Sequence, residues 1–239
     1  VLNGANVVEA FNATNITSGN VELTNNTAGG TLDLQAVSNT VGNITITEAD
    51  SISTSGTVNA GAGIITLRVD SGNAVAATLT IGSTLTAGTI TLTGGTGANE
   101  TLAVSSGANT WTVTGPDAGT VAGTLFSSTA GFSNFSNLTG GTGIDAFVLA
   151  STLSGTINGG AGTDTITGNS AAADVTVVDT SGMDLQALTT GGNLSVTAGT
   201  LTVSGAQTVT GTVALTTSGA LTQNANITSS GAGNTIVAT

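Results

Sequence analysis

The sequence predicts an all-β chain that folds as a parallel β-solenoid (a β-helix) of about a dozen coils. Short segments in which an aliphatic residue alternates with Thr, Ser or Asn recur along the chain, and this period of two indicates half-buried strands. Helix signals are absent, because capping boxes and apolar stripes at helical spacing do not occur. With five Phe, one Trp and no Tyr, the chain lacks the aromatic residues of a sandwich core. Small aliphatic residues stacked in columns suit the narrow interior of a solenoid.

The alternating segments divide the chain into two strand-rich parts on either side of a different middle. The predicted strands are Asn20–Thr24, Thr31–Leu34, Asn43–Thr47, Gly63–Val69, Ala77–Ile81, Thr84–Ala87, Thr89–Thr93, Asp174–Val178, Asn193–Thr197, Thr200–Ser204, Thr208–Thr217 and Ala220–Asn224. We therefore expect a solenoid shaft over 1–110, an aromatic-rich segment over 111–170 that continues the shaft, and a second shaft part over 171–239.

The composition excludes several classes of function. Charged residues make up 6% of the chain, against about 25% in an average protein. A net charge of −12 with one basic residue leaves nothing to neutralise phosphates, so nucleic acid is not an expected partner. No apolar run reaches the length of a spanning helix, so membrane insertion is not expected. The absence of cysteine fits a secreted bacterial protein that crosses membranes unfolded, although many cytosolic proteins lack it too. Val1 opens the chain without a signal peptide, which indicates a mature product or part of a longer chain.

Two copies of a glycine-rich nonapeptide, G-G-x-G-x-D-x-U-x with U a large apolar residue, stand out in the middle of the chain. They are Gly140–Val148 and Gly159–Thr167, and their starts are 19 residues apart. Because this spacing is close to one coil, the two glycine loops should stack on one edge and place Asp145 and Asp164 in adjacent layers. A degraded third copy is Gly94–Leu102, with Asn99 at the aspartate position and Thr101 at the apolar one.

Two interpretations of these nonapeptides remain open. Adjacent carboxylates repel unless a cation lies between them, and hard oxygen ligands suit Ca²⁺. The candidate calcium site then consists of the two aspartates and four loop glycines, namely Asp145, Asp164, Gly141, Gly143, Gly160 and Gly162. Alternatively, Gly-Gly-x-Gly-x-Asp forms only a structural corner of the solenoid.

Aromatic residues are concentrated between residues 111 and 147, where Trp111, Phe126, Phe132, Phe135 and Phe147 occur. They predict either a platform on which carbohydrate stacks or a plug inside a wider part of the coil. We favour the plug, because Phe dominates and glycan platforms prefer the polar edges of Trp and Tyr.

Three stretches carry a family resemblance: 111–121 (WTVTGPDAGTV), 132–149 (FSNFSNLTGGTGIDAFVL) and 153–166 (LSGTINGGAGTDTI). They resemble a segment of large bacterial exoproteins of the filamentous-haemagglutinin type, and the strands around them resemble repeats of that family's shaft. The resemblance implies a right-handed parallel β-helix exported by two-partner secretion to the bacterial cell surface, with a role in adhesion, aggregation or biofilm. The two nonapeptides are similar to the calcium repeats of RTX proteins. Host or matrix glycans and proteins are then expected partners, together with lateral or end-to-end self-association into filaments.

The chain contains few candidate catalytic residues, and we expect no enzymatic activity. Without His or Cys, no nucleophilic triad is available. A polysaccharide-cleaving β-helix would need two carboxylates held across a groove. Glu48 with Asp50 is one candidate pair, but its Thr-rich surroundings indicate ordinary solvated acids. The other candidates are Asp174, Asp179 and Asp184, whose five-residue spacing is more typical of turns.

Overall fold

The computed structural model describes residues 2–26, 29–71, 76–97, 99–170 and 174–238. Within them the chain is all-β, without helices, and its mostly parallel strands stack as a β-solenoid of about 10 turns. The predicted fold class is therefore confirmed. No helix in the described ranges has the length and apolarity needed to cross a membrane.

Most strands are short, although β20 has 16 residues, and they follow one another along the whole described chain. Those before residue 116 are β1 (Leu2–Asn6), β2 (Ala10–Asn15), β3 (Val21–Asn25), β4 (Thr31–Asn39), β5 (Ile44–Thr47), β6 (Ser51–Thr54), β7 (Val58–Asn59), β8 (Ile64–Arg68), β9 (Thr78–Ile81), β10 (Leu85–Thr86), β11 (Thr89–Thr93), β12 (Thr101–Val104) and β13 (Asn109–Gly115). Those after it are β14 (Ala118–Gly123), β15 (Ala130–Ser133), β16 (Asn137–Thr139), β17 (Ala146–Leu149), β18 (Thr156–Asn158), β19 (Thr163–Ser170), β20 (Val175–Thr190), β21 (Leu194–Val203), β22 (Gln207–Val209), β23 (Val213–Thr217), β24 (Leu221–Gln223), β25 (Ile227–Ser229) and β26 (Thr235–Ala238).

The chain forms two compact units. Unit 1 comprises Val1–Ser105 and Thr120–Phe135, and unit 2 comprises Ser106–Gly119 and Ser136–Thr239. The aromatic-rich segment is thus shared: the chain enters unit 2 for 14 residues, returns to unit 1 and then completes unit 2.

Unit 1 is built on columns of aliphatic side chains, each contributed by the same position of successive coils. The pairings β3–β5–β8–β11–β15 and β4–β6–β9–β12 are parallel and in register. Three buried columns result: Val21, Ile44, Ile65, Ile90 and Ala130; Leu23, Ile46, Leu67, Leu92 and Phe132; and Leu32, Ile52, Leu79 and Leu102. Each fully buried aliphatic side chain contributes about 1.5–3 kcal/mol to folding.

Unit 2 is also built on buried columns, and several of its paired residues have the same separation along the chain. Its strands β16–β18–β20–β21–β23 and β13–β17–β19–β20–β21 also pair in parallel. Two of its buried columns are Leu138, Ile157, Val177, Val196 and Leu215, and Trp111, Phe147, Ile166, Leu185 and Val203. The pairs Ala146–Thr165, Val175–Leu194 and Leu194–Val213 each join residues 19 positions apart.

The number of turns is lower than the dozen expected, because some steps use more chain than one 20-residue coil. Ile90 pairs with Ala130, and Thr110 pairs with Ala146. These steps span 40 and 36 residues and coincide with the aromatic-rich segment. A second difference concerns the strand expected over Thr208–Thr217, which is divided into β22 and β23 by a bend at Thr210–Thr212.

Candidate functional site: a buried acidic corner

The two nonapeptides occupy equivalent positions in neighbouring coils of unit 2. Ala146 pairs with Thr165 and Phe147 with Ile166, which brings Asp145 to the level of Asp164. The position of Asp145 is matched in the preceding coil by Asn109, because Thr110 pairs with Ala146. Asn109, Asp145 and Asp164 thus form one column at a corner of the solenoid.

The loop glycines stack with their counterparts in the next coil. Gly160 has φ +93°, and a methyl group at this position would collide with the carbonyl oxygen of Gly141. Gly162 packs in the same way on Gly143. The carbonyl oxygens of the loop accept coil-to-coil hydrogen bonds, from Ala161 N to Gly141 O (2.7 Å) and from Gly182 N to Gly162 O (3.1 Å). The four predicted glycines therefore let the two loops pack closely, and the carbonyl groups of Gly141 and Gly162 join each loop to the next coil.

Both aspartates of the nonapeptides point into the corner and are fully buried. The Asp145 Oδ1 atom accepts hydrogen bonds from the backbone and side-chain nitrogens of Asn109, each at 2.8 Å. The Asp164 Oδ1 atom accepts one from the backbone N–H of Asp145 at 2.7 Å. One oxygen of each carboxylate thus connects its coil to the preceding one.

The other oxygen of each carboxylate faces the first glycine of its own nonapeptide. A methyl group at Gly140 would collide with Asp145 Oδ2, and one at Gly159 would collide with Asp164 Oδ2. This explains the first glycine of the pattern: it leaves the space that the inward-pointing carboxylate fills. Neither Oδ2 atom has a hydrogen-bond partner in the structure.

A third buried acid, Asp179 of β20, completes the corner. It is 2% exposed, its Oδ1 atom accepts a hydrogen bond from Ser181 N at 2.7 Å, and its carboxyl group lies within hydrogen-bonding reach of the Asp164 carboxyl group. Asn158 pairs with Val178, which places Asp179 beside Gly159. Its Oδ2 atom therefore lies against the same face of Gly159 as Asp164 Oδ2.

Burial perturbs the acids of this corner. Desolvation raises the pKa of Asp145 to about 6, although the hydrogen bonds from Asn109 act in the opposite direction. Desolvation also raises the pKa of Asp179 to about 6, with further contributions from the neighbouring Asp164 carboxyl group. Both groups therefore hold their protons at a higher pH than an exposed aspartate does.

Unit 1 has a buried acid at a corner of its own. The Glu48 side chain is fully buried, its Oε1 atom accepts a hydrogen bond from Ala49 N at 2.7 Å, and its Oε2 atom accepts one from Asn25 Nδ2. The expectation that Glu48 is solvated was therefore wrong, whereas Asp50 is half-buried. The expectation that Asp179 and Asp184 belong to turns was also wrong, because both lie within β20.

The sequence contains a pattern that predicts which acids point inward: each is two residues from a buried apolar side chain. Asp145 precedes the buried Phe147 by two residues, Glu48 follows the buried Ile46 by two, and Asp179 follows the buried Val177 by two. In a strand, residues two apart point to the same side. The alternation that predicted the aliphatic columns thus extends to the acids, and Asp179 could have been found in this way.

The degraded third nonapeptide differs from the other two. Ala98, inside Gly94–Leu102, lies outside the described residues. Asn99 has φ +83°, and the buried acid of this loop is Glu100, one position later than the aspartate of the complete pattern. Gly95 leaves room for the Asp70 carboxylate. A glycine facing a buried acid therefore recurs here in unit 1.

The five aromatic side chains of the middle segment are all buried. Trp111 and Phe147 stack in adjacent coils, with ring centroids 5.8 Å apart and ring planes 10° apart. An exposed platform for carbohydrate is thus ruled out for these rings, and they fill the interior as the alternative interpretation predicted.

In the described part of the chain, no three His, Cys, Asp or Glu side chains are grouped as ligands of one metal ion. No protein-family model, curated protein or solved structure matches the chain. The fold places the chain in the structural class of β-solenoids. The function of the chain is inferred from the geometry described above.

Proposed function

We propose that this chain is a rigid β-solenoid shaft segment of a bacterial surface adhesin or fibre, of the filamentous-haemagglutinin type that its sequence resembles. The observation that carries the proposal is how its polar residues are used. Glycine loops, buried acids and asparagines serve mainly to join one coil to the next, and the aromatic rings fill the interior.

The mechanism that we propose is mechanical. Each coil contributes parallel backbone hydrogen bonds and a layer of aliphatic contacts to its neighbour. Asparagine side chains add bonds on the outside, because Asn43 Oδ1 accepts from Ile64 N (2.9 Å) and Asn193 Oδ1 accepts from Thr212 N (2.8 Å). Such a segment resists extension, since all bonds between two coils must break together.

Location and partners are part of the same proposal. A shaft of this kind works outside the cell, on the bacterial surface or after secretion. Its low charge reduces repulsion between neighbouring shafts, which favours lateral association or end-to-end filaments, and its partners are host or matrix glycans and proteins.

Single-molecule pulling on the purified chain tests the mechanical role. We expect high unfolding forces with steps that release one or a few coils, together with resistance to proteinase K. The matched control is Gly160→Ala, which disrupts the contact between two glycine loops and should lower the force needed to unfold unit 2. Unfolding of the parent chain at low force, without steps, would argue against a shaft.

A second candidate function is a calcium-dependent cohesion module that uses Asp145, Asp164 and the loop glycines. The observation that favours it is the stacking of the two aspartates in successive coils, each with one oxygen that lacks a hydrogen-bond partner. Calorimetric titration with Ca²⁺ tests it: we expect binding heat and a higher melting temperature, both lost in Asp145→Ala/Asp164→Ala. An unchanged melting curve would contradict the calcium-dependent module and leave the shaft as the proposed function.

We also propose that the chain has no polysaccharide-cleaving activity. Of the candidate acids, Glu48 and Asp179 are buried within the coils rather than set across an open groove. Incubation with assorted polysaccharides and a reducing-end assay tests this, and released reducing ends would contradict it.

A further inference from the structure

The outer face of one sheet in unit 1 carries the only basic residue of the chain, Arg68. The strands β3, β5, β8 and β11 lie side by side in parallel register, and every second residue points outward. Arg68 ends β8, and its neighbours in the adjacent strands are Thr47 of β5 and Thr93 of β11. The cation is therefore set among hydroxyl groups. The outward residues of this arginine face are Glu22, Thr24, Thr45, Thr47, Ile64, Thr66, Arg68, Thr89, Thr91 and Thr93.

Arg68 is half-buried and has no acidic partner among the described residues. Its Nε atom is shielded from water and lacks a hydrogen-bond partner. Asp70, two residues further on, turns inward and is fully buried, so it does not neutralise the guanidinium group. A donor that loses water without gaining an acceptor costs free energy, and a carboxylate is the acceptor that matches the planar guanidinium best. Arg68 is therefore suited to a carboxylate that comes from outside the chain.

The arginine face also contains one acid, Glu22 of β3. Glu22 is half-buried and accepts a hydrogen bond from Asn20 Nδ2 at 3.2 Å. It pairs with Thr45, which pairs with Thr66, so Glu22 lies two coils away from β8. Strands are about 4.8 Å apart and residues two apart in a strand about 6.8 Å, which puts the backbones of Glu22 and Arg68 about 12 Å apart. The two charges are too distant to pair within one chain.

We propose that the arginine face is a docking surface for a second copy of the chain, in which Arg68 of each copy pairs with Glu22 of the other. A two-fold symmetric dimer joins the same patch of both copies, so its contacts are reciprocal. A two-fold axis that lies in the plane of the interface and passes over β5, midway between the two side chains, places each charge opposite its complement. Thr45 and Thr47 then lie near the centre of the contact.

The charges of the chain favour a second copy over an acidic glycan as the occupant. With 13 acids and one base, two copies repel each other in most arrangements, whereas the reciprocal dimer gives two attractive contacts. An acidic glycan would match Arg68, but it would be repelled by Glu22 on the same face and by the net charge of −12.

The size of the face indicates a weak dimer. It extends about 17 Å along the strands and about 19 Å across them, or about 300 Å² per copy, against about 800 Å² per partner in a stable interface. Ile64, which is 41% exposed, adds an apolar contact. The inference rests on the proposed function, which it deepens by naming the face through which two shafts associate laterally. Because the charges remain near solvent, salt should weaken the dimer.

A charge exchange tests the reciprocal contact. Analytical ultracentrifugation over a concentration series, at low and high salt, compares the parent chain with Arg68→Glu, Glu22→Arg, the double variant Arg68→Glu/Glu22→Arg and Glu9→Arg. Glu9 is the matched control, because it is an exposed acid of unit 1 outside the four strands and its replacement changes the net charge as Glu22→Arg does. Melting followed by circular dichroism checks folding, and Arg68→Gln replaces Arg68→Glu if the latter melts below the parent chain.

We expect the parent chain and Glu9→Arg to dimerise at low salt, each single variant of the pair to weaken the dimer about tenfold or more, and the double variant to restore it. A monomeric parent chain at all concentrations, a double variant that stays monomeric, or equal weakening by Glu9→Arg and Glu22→Arg would overturn the proposal. Binding of alginate to a monomeric parent chain, lost in Arg68→Glu, would overturn it in favour of an acidic glycan.

Pulling experiments separate this outcome from that of the proposed function. A monomeric chain that unfolds at high force in steps would overturn the dimer and leave the shaft. A chain that dimerises as expected but unfolds at low force without steps would support the dimer and argue against the shaft.

Discussion

The two units bury acids at their corners in different ways. In unit 1, each oxygen of Glu48 accepts a hydrogen bond, from Ala49 N and from Asn25 Nδ2. In unit 2, each of Asp145, Asp164 and Asp179 has one oxygen with hydrogen bonds and one without. A buried carboxylate with donors on both oxygens stabilises a fold, whereas one with a vacant oxygen beside another acid costs free energy.

This difference shows that a buried acid has no fixed role in a solenoid. The longer glutamate side chain reaches back to the backbone N–H of its own turn, and Asn25 of the preceding coil covers its second oxygen. The shorter aspartates Asp145 and Asp164 use one oxygen for a coil-to-coil bond, Asp179 uses one for the N–H of Ser181 in its own strand, and the other oxygen of each faces a glycine. The Glu48 corner of unit 1 therefore has donors on both carboxylate oxygens, whereas the corner of unit 2 brings three buried acids together with donors on one oxygen of each.

The largest loss of stability is expected from substitutions that disrupt the packing of glycine loops, which occurs in both units. Gly160→Ala in unit 2 adds a methyl group that collides with Gly141 O, and Gly42→Ala in unit 1 adds one that collides with Gly19 O. Each should lower the free energy of unfolding by about 3 kcal/mol or more, because a left-handed residue and a backbone collision combine. Urea unfolding followed by circular dichroism measures it.

The matched control for Gly160→Ala is Gly233→Ala. Gly233 also has a left-handed conformation (φ +87°), but open space surrounds the added methyl group. We expect a loss of about 1 kcal/mol there, from backbone strain alone. Equal losses at residues 160 and 233 would show that contact between the glycine loops does not hold the coils together.

Glu48→Gln in unit 1 and Asp179→Asn in unit 2 should change stability in opposite directions. The amide group of glutamine must turn its NH₂ toward either the backbone N–H of Ala49 or the Asn25 amide, and both of these are donors. We expect a loss of about 1–3 kcal/mol in the free energy of unfolding, measured by urea unfolding. The isosteric change Asp179→Asn, in EDTA at neutral pH, should act in the opposite direction. If both variants lose stability to the same extent, the contrast between the corners is wrong.

The fold could be read from the sequence to a large extent, whereas the corner could be read only in part. Alternation of aliphatic residues with Thr and Ser predicted strands such as β5, β8 and β11, because each coil repeats the same cross-section. The spacing of the nonapeptides predicted that Asp145 and Asp164 lie in adjacent coils. The hydrogen bonds of Asp145 could not be predicted, because they come from Asn109, which is 36 residues before Asp145 in the chain.

The pH dependence of stability should reveal the acids of unit 2. The pKa values of Asp145 and Asp179 are raised to about 6 in the folded chain, so between about pH 4 and 6 the folded state binds more protons than the unfolded state. The stability that these groups contribute is therefore fully present below about pH 4 and is lost as the pH rises through 6. In EDTA, the melting temperature of unit 2, measured by Trp111 fluorescence, should fall by several degrees as the pH rises from 4.5 to 7.5.

The double variant Asp145→Asn/Asp179→Asn is the control for this pH profile. Because asparagine does not titrate in this range, the decrease between pH 4.5 and 7.5 should become much smaller. A parent chain that gains stability as the pH rises over this interval would contradict the sign derived above.

The smallest effect tests whether the units differ only at their acidic corners. Asn43 in unit 1 and Asn193 in unit 2 play the same external part, since each side-chain oxygen accepts a backbone N–H from the next coil. Replacement by alanine removes this partly solvated hydrogen bond in each unit, and in Asn193 also a second one, from Thr212 Oγ1 at 2.9 Å. We expect a loss of about 0.5–1.5 kcal/mol for each hydrogen bond removed, measured by urea unfolding. Similar losses for each hydrogen bond removed would show that the coil-to-coil bonds outside the corners are equivalent. A loss for each bond that is several times larger in one unit would mean that the contrast extends beyond the buried acids.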